Sequence, residues 1–150
     1  MIKIISVGKI KEKYLVDAIK EYEKRLSKYT KLEIIEVNDV DYDINKTLET
    51  EKNSILKYID NKEYIVTLDI EGKELSSVEF STKMNEIFNH NSNITFIIGG
   101  SYGLHKDIKD LSNFSLSFSK MTFPHQLFRV MLLEQIYRTY KINNNETYHK

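Results

Sequence analysis

Five short apolar runs alternate with helical patterns along these 150 residues, and this alternation restricts the fold more than any other feature. The runs are Ile2–Val7, Leu32–Val37, 64–68, Ile94–Ile98 and 114–118, all of strand length and rich in β-branched or aromatic residues. Between the first two, Leu15, Ala18, Ile19, Tyr22, Leu26 and Tyr29 recur at helical spacing over 14–29. A second helix is predicted over 47–58, after an acidic loop. A third opens at Ser76, with Glu79 three positions on in a capping-box pattern, and lines up Phe80, Met84, Ile87 and Phe88. A short helix is expected over 105–111 and a long one over 123–140. Strands alternating with helices imply an α/β fold, with a mostly parallel sheet covered by helices on both faces. No linker rich in Pro, Gly or Ser divides the chain, so residues 1–150 are expected to form a single domain.

The last helix carries a further constraint. Leu127, Phe128, Val130, Met131, Leu132, Leu133, Ile136, Tyr137 and Tyr140 leave it almost no wholly polar face. A helix apolar all round must be buried all round. A helix in the outer layer of a small domain covers the sheet with one face, so a second subunit is expected on the other, as a two-fold homodimer.

Composition narrows the function classes. There is no cysteine, so disulfides and thiolate-bound metals are excluded. No histidine pair with carboxylates has metal-ligand spacing, and no metal is expected. No apolar run reaches the ~18 residues of a membrane span, and the start of the chain lacks the pattern of a signal peptide. The expected location is the cytoplasm. Net charge is zero, from 22 basic and 22 acidic residues. From Leu111 onward, however, Lys120, Arg129, Arg138, Lys141 and Lys150 outnumber Glu134 and Glu146. A basic end on a neutral chain permits a shaped RNA site while arguing against indiscriminate nucleic-acid binding.

In open α/β sheets, ligands bind outside the carboxyl ends of the strands. Three such ends are distinctive here: LDIEG from Leu68, GGSYG from Gly99, and FSKMTF from Phe118. The glycine spacing departs from both the dinucleotide fingerprint and the P-loop. Thr122 is a candidate cap for the last helix, and Pro124 suits its first turn. His125 and Arg129, four residues apart, share a helix face there. Asp69 reads equally as a base, a hydrogen-bond acceptor or a surface turn residue.

Together, GGSYG, SFSKMTFPHQLFR, LEQIYR and the closing YHK, with VGK near the start and LDIEGK after the third strand, resemble the RlmH family of SPOUT-class methyltransferases along essentially the whole chain. The resemblance implies a SPOUT-type α/β fold with a C-terminal trefoil knot. It implies a homodimer that uses S-adenosyl-L-methionine to methylate N3 of a pseudouridine in 23S ribosomal RNA of the large subunit or ribosome. It assigns cofactor contacts to Leu68, Gly99, Phe118, Ser119, Lys120, Met121, Thr122 and Phe123, and Gly103 closes the same glycine loop. N3 must lose a proton before its lone pair can attack. The candidates for that step are His125, His149 from the partner's tail, or water ordered by either. Arg129 could instead stabilise charge developing on the ring. Arg129, Tyr148, His149 and Lys150 are the expected RNA contacts. Two other readings stand beside this one: a SPOUT enzyme acting on transfer RNA, and a non-catalytic RNA-binding or ribosome-assembly protein.

Overall fold

The computed structural model describes residues 1–148. Five strands form one all-parallel sheet in the order β2-β1-β4-β3-β5. They are β1 (Ile2–Val7), β2 (Leu32–Val37), β3 (Tyr64–Glu74), β4 (Ile94–Ile98) and β5 (Phe114–Ser117). The connecting helices are α1 (Lys13–Leu26), α2 (Ile44–Leu56), α3 (Ser77–Phe88) and α4 (Lys106–Leu111), and α5 (His125–Asn143) closes the chain.

Period-two alternation sorts the side chains into two cores. Ile2, Ile4, Phe96 and Ile98 join residues of α1, α3 and α5 on one face. Ile5, Val7, Ile65 and Ile97 join Ile55 of α2 and Ile108 of α4 on the other. Both faces are covered, so the central strands β1 and β4 are buried along their whole length. Lys3 is tolerated inside β1 because its ammonium pairs with Glu63 and donates to the Tyr58 carbonyl at 2.6 Å.

Several boundaries differ from the sequence expectation, such as the end of α1 at Leu26 in place of 29, and three have an identifiable local cause. Helix α2 starts at Ile44, because Asp43 of the acidic loop caps it by accepting from the Lys46 amide at 2.9 Å. Strand β3 does not stop at Leu68. Residues 69–72 bulge out and the strand resumes, so that both Leu68 and Lys73 pair with Leu116. Gly72 is required there, since a Cβ would lie 2.7 Å from the Ser115 carbonyl carbon. Helix α5 begins at His125, with Pro124 at the N-cap and no side-chain cap, so Thr122 does not cap it. The capping box of Ser76 and Glu79 is present as expected, and contributes about 1 kcal/mol.

Helix α5 packs between α1 and α3 as well as on the sheet. Much of its apolar circumference is therefore buried within the chain, at Leu132, Leu133, Ile136 and Tyr137. Leu127 in its first turn and Met121 just before it stay exposed, at 41% and 75%. The chain then folds back along α5. Tyr29 donates to Glu146 at 2.8 Å, and the Tyr148 hydroxyl donates to Glu134 at 2.7 Å with its ring against Tyr137. Tyr22 also donates to Glu134, and burial together with that carboxylate pushes its phenol up to about 12.

Candidate active site

The carboxyl ends of β3, β4 and β5 lie side by side, and the three loops leaving them enclose a cavity of about 430 Å³. Leu68, Gly99, Phe118, Ser119, Met121, Thr122 and Phe123, to which the resemblance assigns donor contacts, line it, as does Gly103. Lys120 does not: it is exposed and contributes nothing to the wall. Asp69, Ile70, Ile98, Gly100, Ser101, Tyr102, Lys109, Leu116, His125 and Phe128 are among the other lining residues.

Each loop is held by identifiable contacts. In the glycine loop, the Gly103 amide donates to the Gly100 carbonyl at 3.0 Å, and Gly103 takes φ +76°, a conformation that favours glycine. A Cβ on Gly99 would come within 2.5 Å of the Gly103 carbonyl oxygen, so the turn closes only over a bare backbone. In the loop after β5, Ser119 Oγ accepts from the Met121 amide at 3.0 Å, and Ser117 donates to the Ser119 carbonyl at 3.1 Å. Phe118 and Phe123 both pack on Phe128 of α5, with ring centroids 4.8 and 6.1 Å away. Such aromatic contacts contribute about 1 kcal/mol each beyond burial. The bulge after β3 is tied by Asp69, which pairs with Lys109 at 3.2 Å and accepts from the Glu71 amide at 3.1 Å. Asp69 is thereby engaged in holding the loop.

A second, polar cleft of about 580 Å³ opens beside the first, over the ends of β1, β2 and β4. Gly100, Ser101, Tyr102 and His125 form a wall common to both cavities. His125 is exposed on that wall, and Arg129 lies one helical turn on, in the lining of the second cleft alone. The structure thus brings the two residues together but gives them different settings. Arg129 is 1% exposed. Its guanidinium donates to Glu36 at 2.5 Å and to the Gly8 carbonyl at 3.0 Å, so it is committed inside the chain and presents no free surface to RNA. Tyr148 likewise packs on its own subunit. His149 and Lys150 lie outside the described residues.

Sequence reasoning passed over Glu51, which also lines this cleft and is 4% exposed. Its Oε1 has no hydrogen-bond partner among the described residues, while the Val40 backbone lies close enough to favour the ionised carboxyl. Burial raises its pKa, the Val40 hydrogen bond opposes the rise, and Asp39 adds to it. A folded-state value above the ordinary one means that ionisation weakens the fold. The loss is absent below the unfolded value near 4.5, grows as pH rises through the folded value, and is complete above it. Glu51→Gln is therefore expected to stabilise the protein by about 1 kcal/mol at neutral pH, the gain vanishing toward pH ~4. Thermal melts across that range check this.

Among the described residues no helix is long and apolar enough to cross a membrane, and no cluster of three or more metal-ligating side chains occurs. The family described as "Predicted SPOUT methyltransferase" matches residues 1–149. A protein of Methanococcus maripaludis is 56% identical over 99% of both chains. Proteins of Clostridium tetani and Clostridium botulinum, each named ribosomal RNA large subunit methyltransferase H, are 54% identical over 99% of both chains. A match along the full length, on a parallel sheet whose strand-end loops converge as they do here, places this chain in the SPOUT methyltransferase family, among the RlmH proteins.

Proposed function

We propose that this protein transfers a methyl group from S-adenosyl-L-methionine to N3 of a pseudouridine in the large-subunit (23S) ribosomal RNA, as a homodimer. The observation that carries this reading is the convergence of three strand-end loops on one cavity, at the residues where the RlmH resemblance puts the donor. The cavity fits such a molecule. Its volume falls in the range of small-ligand sites, and its walls mix apolar side chains with backbone polar groups. Gly99 leaves open the space that a side chain would take from the loop.

When bound, the donor supplies an electrophilic methyl on a sulfonium. Leu68, Ile98 and Leu116 offer apolar surface to it, while the glycine loop and Ser119 and Thr122 of the loop after β5 bring polar groups to the wall. The protein's contribution is chiefly positioning, since the nucleophile must approach in line with the bond that breaks. His125, on the wall between donor cavity and cleft, is suited to take the N3 proton directly or through water. Arg129 serves this reading by holding the Gly8 carbonyl on the cleft that His125 also lines. Leu127 and Met121 supply exposed apolar surface for the second subunit, and the trefoil threading of the C-terminal third belongs to the same reading. His149 and Lys150 are proposed to reach the substrate from the partner.

Ribosomes lacking the modification, incubated with methyl-labelled S-adenosyl-L-methionine, test the activity. Label should enter 23S RNA, S-adenosylhomocysteine should suppress it, and light scattering should read two chains. Label in transfer RNA would favour the first alternative. Absence of donor binding in calorimetry would favour a non-catalytic RNA-binding protein.

A further inference from the structure

The cleft beside the donor cavity has a construction of its own. Its outer lip is the segment 8–11, which carries Lys9 and Lys11, both exposed. Three side chains pin this segment. Arg129 donates to the Gly8 carbonyl at 3.0 Å, Glu36 accepts from the Ile10 amide at 2.8 Å, and Gln126 accepts from the Lys11 amide at 3.1 Å. Glu36 also pairs with Arg129, so one buried arginine couples β2, the lip and the first turns of α5. A lysine-bearing loop held this way by α5 costs little further ordering when it meets a ligand.

The opposite wall is acidic, formed by Asp39, Asp41 and Glu51. Glu51 is the informative member. Its unpartnered Oε1 is buried against Gly100, where a Cβ in place of the glycine hydrogen would lie 3.2 Å away. Glu51 lines the cleft, and a buried carboxyl there with an unused acceptor calls for an explanation that a ligand's donor supplies.

Resting on the function proposed above, we infer that this cleft receives the acceptor nucleotide of the RNA, with Lys9 and Lys11 on its flanking phosphates and the acidic wall toward the ring N–H groups of the base. Cations on the lip suit phosphate, whereas acceptors inside the cleft suit a base that carries two ring N–H groups, as pseudouridine does. N3 is the group that must face the donor cavity. The N1–H, which uridine lacks because its N1 bears the ribose, is left for the carboxylates. Arg129, Glu36 and Gln126 are positioning residues in this arrangement.

The test uses the full chain with Lys9→Glu/Lys11→Glu and, separately, Glu51→Gln. Binding to an unmodified large-subunit RNA transcript and steady-state methylation of unmodified ribosomes are read alongside donor affinity by calorimetry. The double lysine variant should raise the RNA Kd and the KM at least ~10-fold and flatten the salt dependence by about one unit per lost phosphate contact. Glu51→Gln removes the charge and replaces one acceptor oxygen by an NH2 donor, which cannot accept from a donor on the base. That variant should lose at least ~10-fold in kcat/KM while gaining thermal stability, a combination that a merely structural role would not give. Donor affinity should stay within ~2-fold in both. RNA binding by the lysine variant equal to wild type would overturn the inference, as would unchanged kcat/KM in Glu51→Gln. If the wild-type protein does not methylate ribosomes, the functional reading fails on its own, and the RNA-binding comparison still decides whether the cleft holds RNA.

Discussion

Gly99→Ala is expected to abolish productive donor binding, raising its Kd by ~100-fold or more, while the protein still folds. A single methyl group there would sit 2.5 Å from the Gly103 carbonyl oxygen and 2.6 Å from its carbon. Those atoms are backbone and cannot rotate away, so residues 100–103 must move as a unit. Displacing a positioning loop by about 1 Å is enough to cost ~100-fold in a reaction that depends on alignment. Calorimetry with S-adenosyl-L-methionine reads the loss, and circular dichroism checks that the fold persists. Binding within ~3-fold of wild type would mean that the glycine loop does not form the donor site.

Arg129→Ala should give the largest loss of stability of any single substitution considered, about 3 kcal/mol, equivalent to a fall of ~10 °C in melting temperature. Arg129 is among the largest fully buried side chains, and its removal leaves a void as well as an unpaired Gly8 carbonyl and Glu36 carboxylate. Glu36 is about one-third exposed on its side chain, which lets water offset part of its loss and keeps the figure at the low end for a broken buried pair. Arg129→Met fills most of the void without restoring the ion pair, and should recover about half of the loss. A melting temperature unchanged in Arg129→Ala would return the guanidinium to the surface role that its spacing from His125 suggests.

The layers of the fold are legible in the sequence because their signals are local. Alternating apolar runs and helical spacings place the five strands and five helices of the described residues, and the cavity proposed to hold the donor follows from three loops at adjacent strand ends. What the sequence hides depends on distant pairing. Arg129 and Glu36 lie 93 residues apart, and the arginine reads as exposed until the β2 carboxylate is brought beneath it. The acidic loop reads as a featureless connection, yet Asp43 caps α2, and residues 38–41 join Glu51 in the wall of the polar cleft. Gly72 holds a readable clue, since a lone glycine in a strand pattern signals a bulge or a close backbone approach. The apolar circumference of α5 does demand burial, but α1 and α3 meet much of that demand inside one chain. A subunit interface therefore has to rest on the residues left exposed, such as Leu127 and Met121.

Methyl transfer to N3 of a pseudouridine in large-subunit RNA is tested most directly by mass mapping of ribosomal nucleotides. Unmodified ribosomes are incubated with this protein and S-adenosyl-L-methionine, and the RNA is then digested and sequenced by fragment mass. The expected result is the mass of a single added methyl group in place of one hydrogen, on one pseudouridine of 23S RNA at N3, and none when Gly99→Ala replaces the wild-type chain. Methylation of a different nucleotide or ring position, or none by a protein that binds the donor, would contradict it.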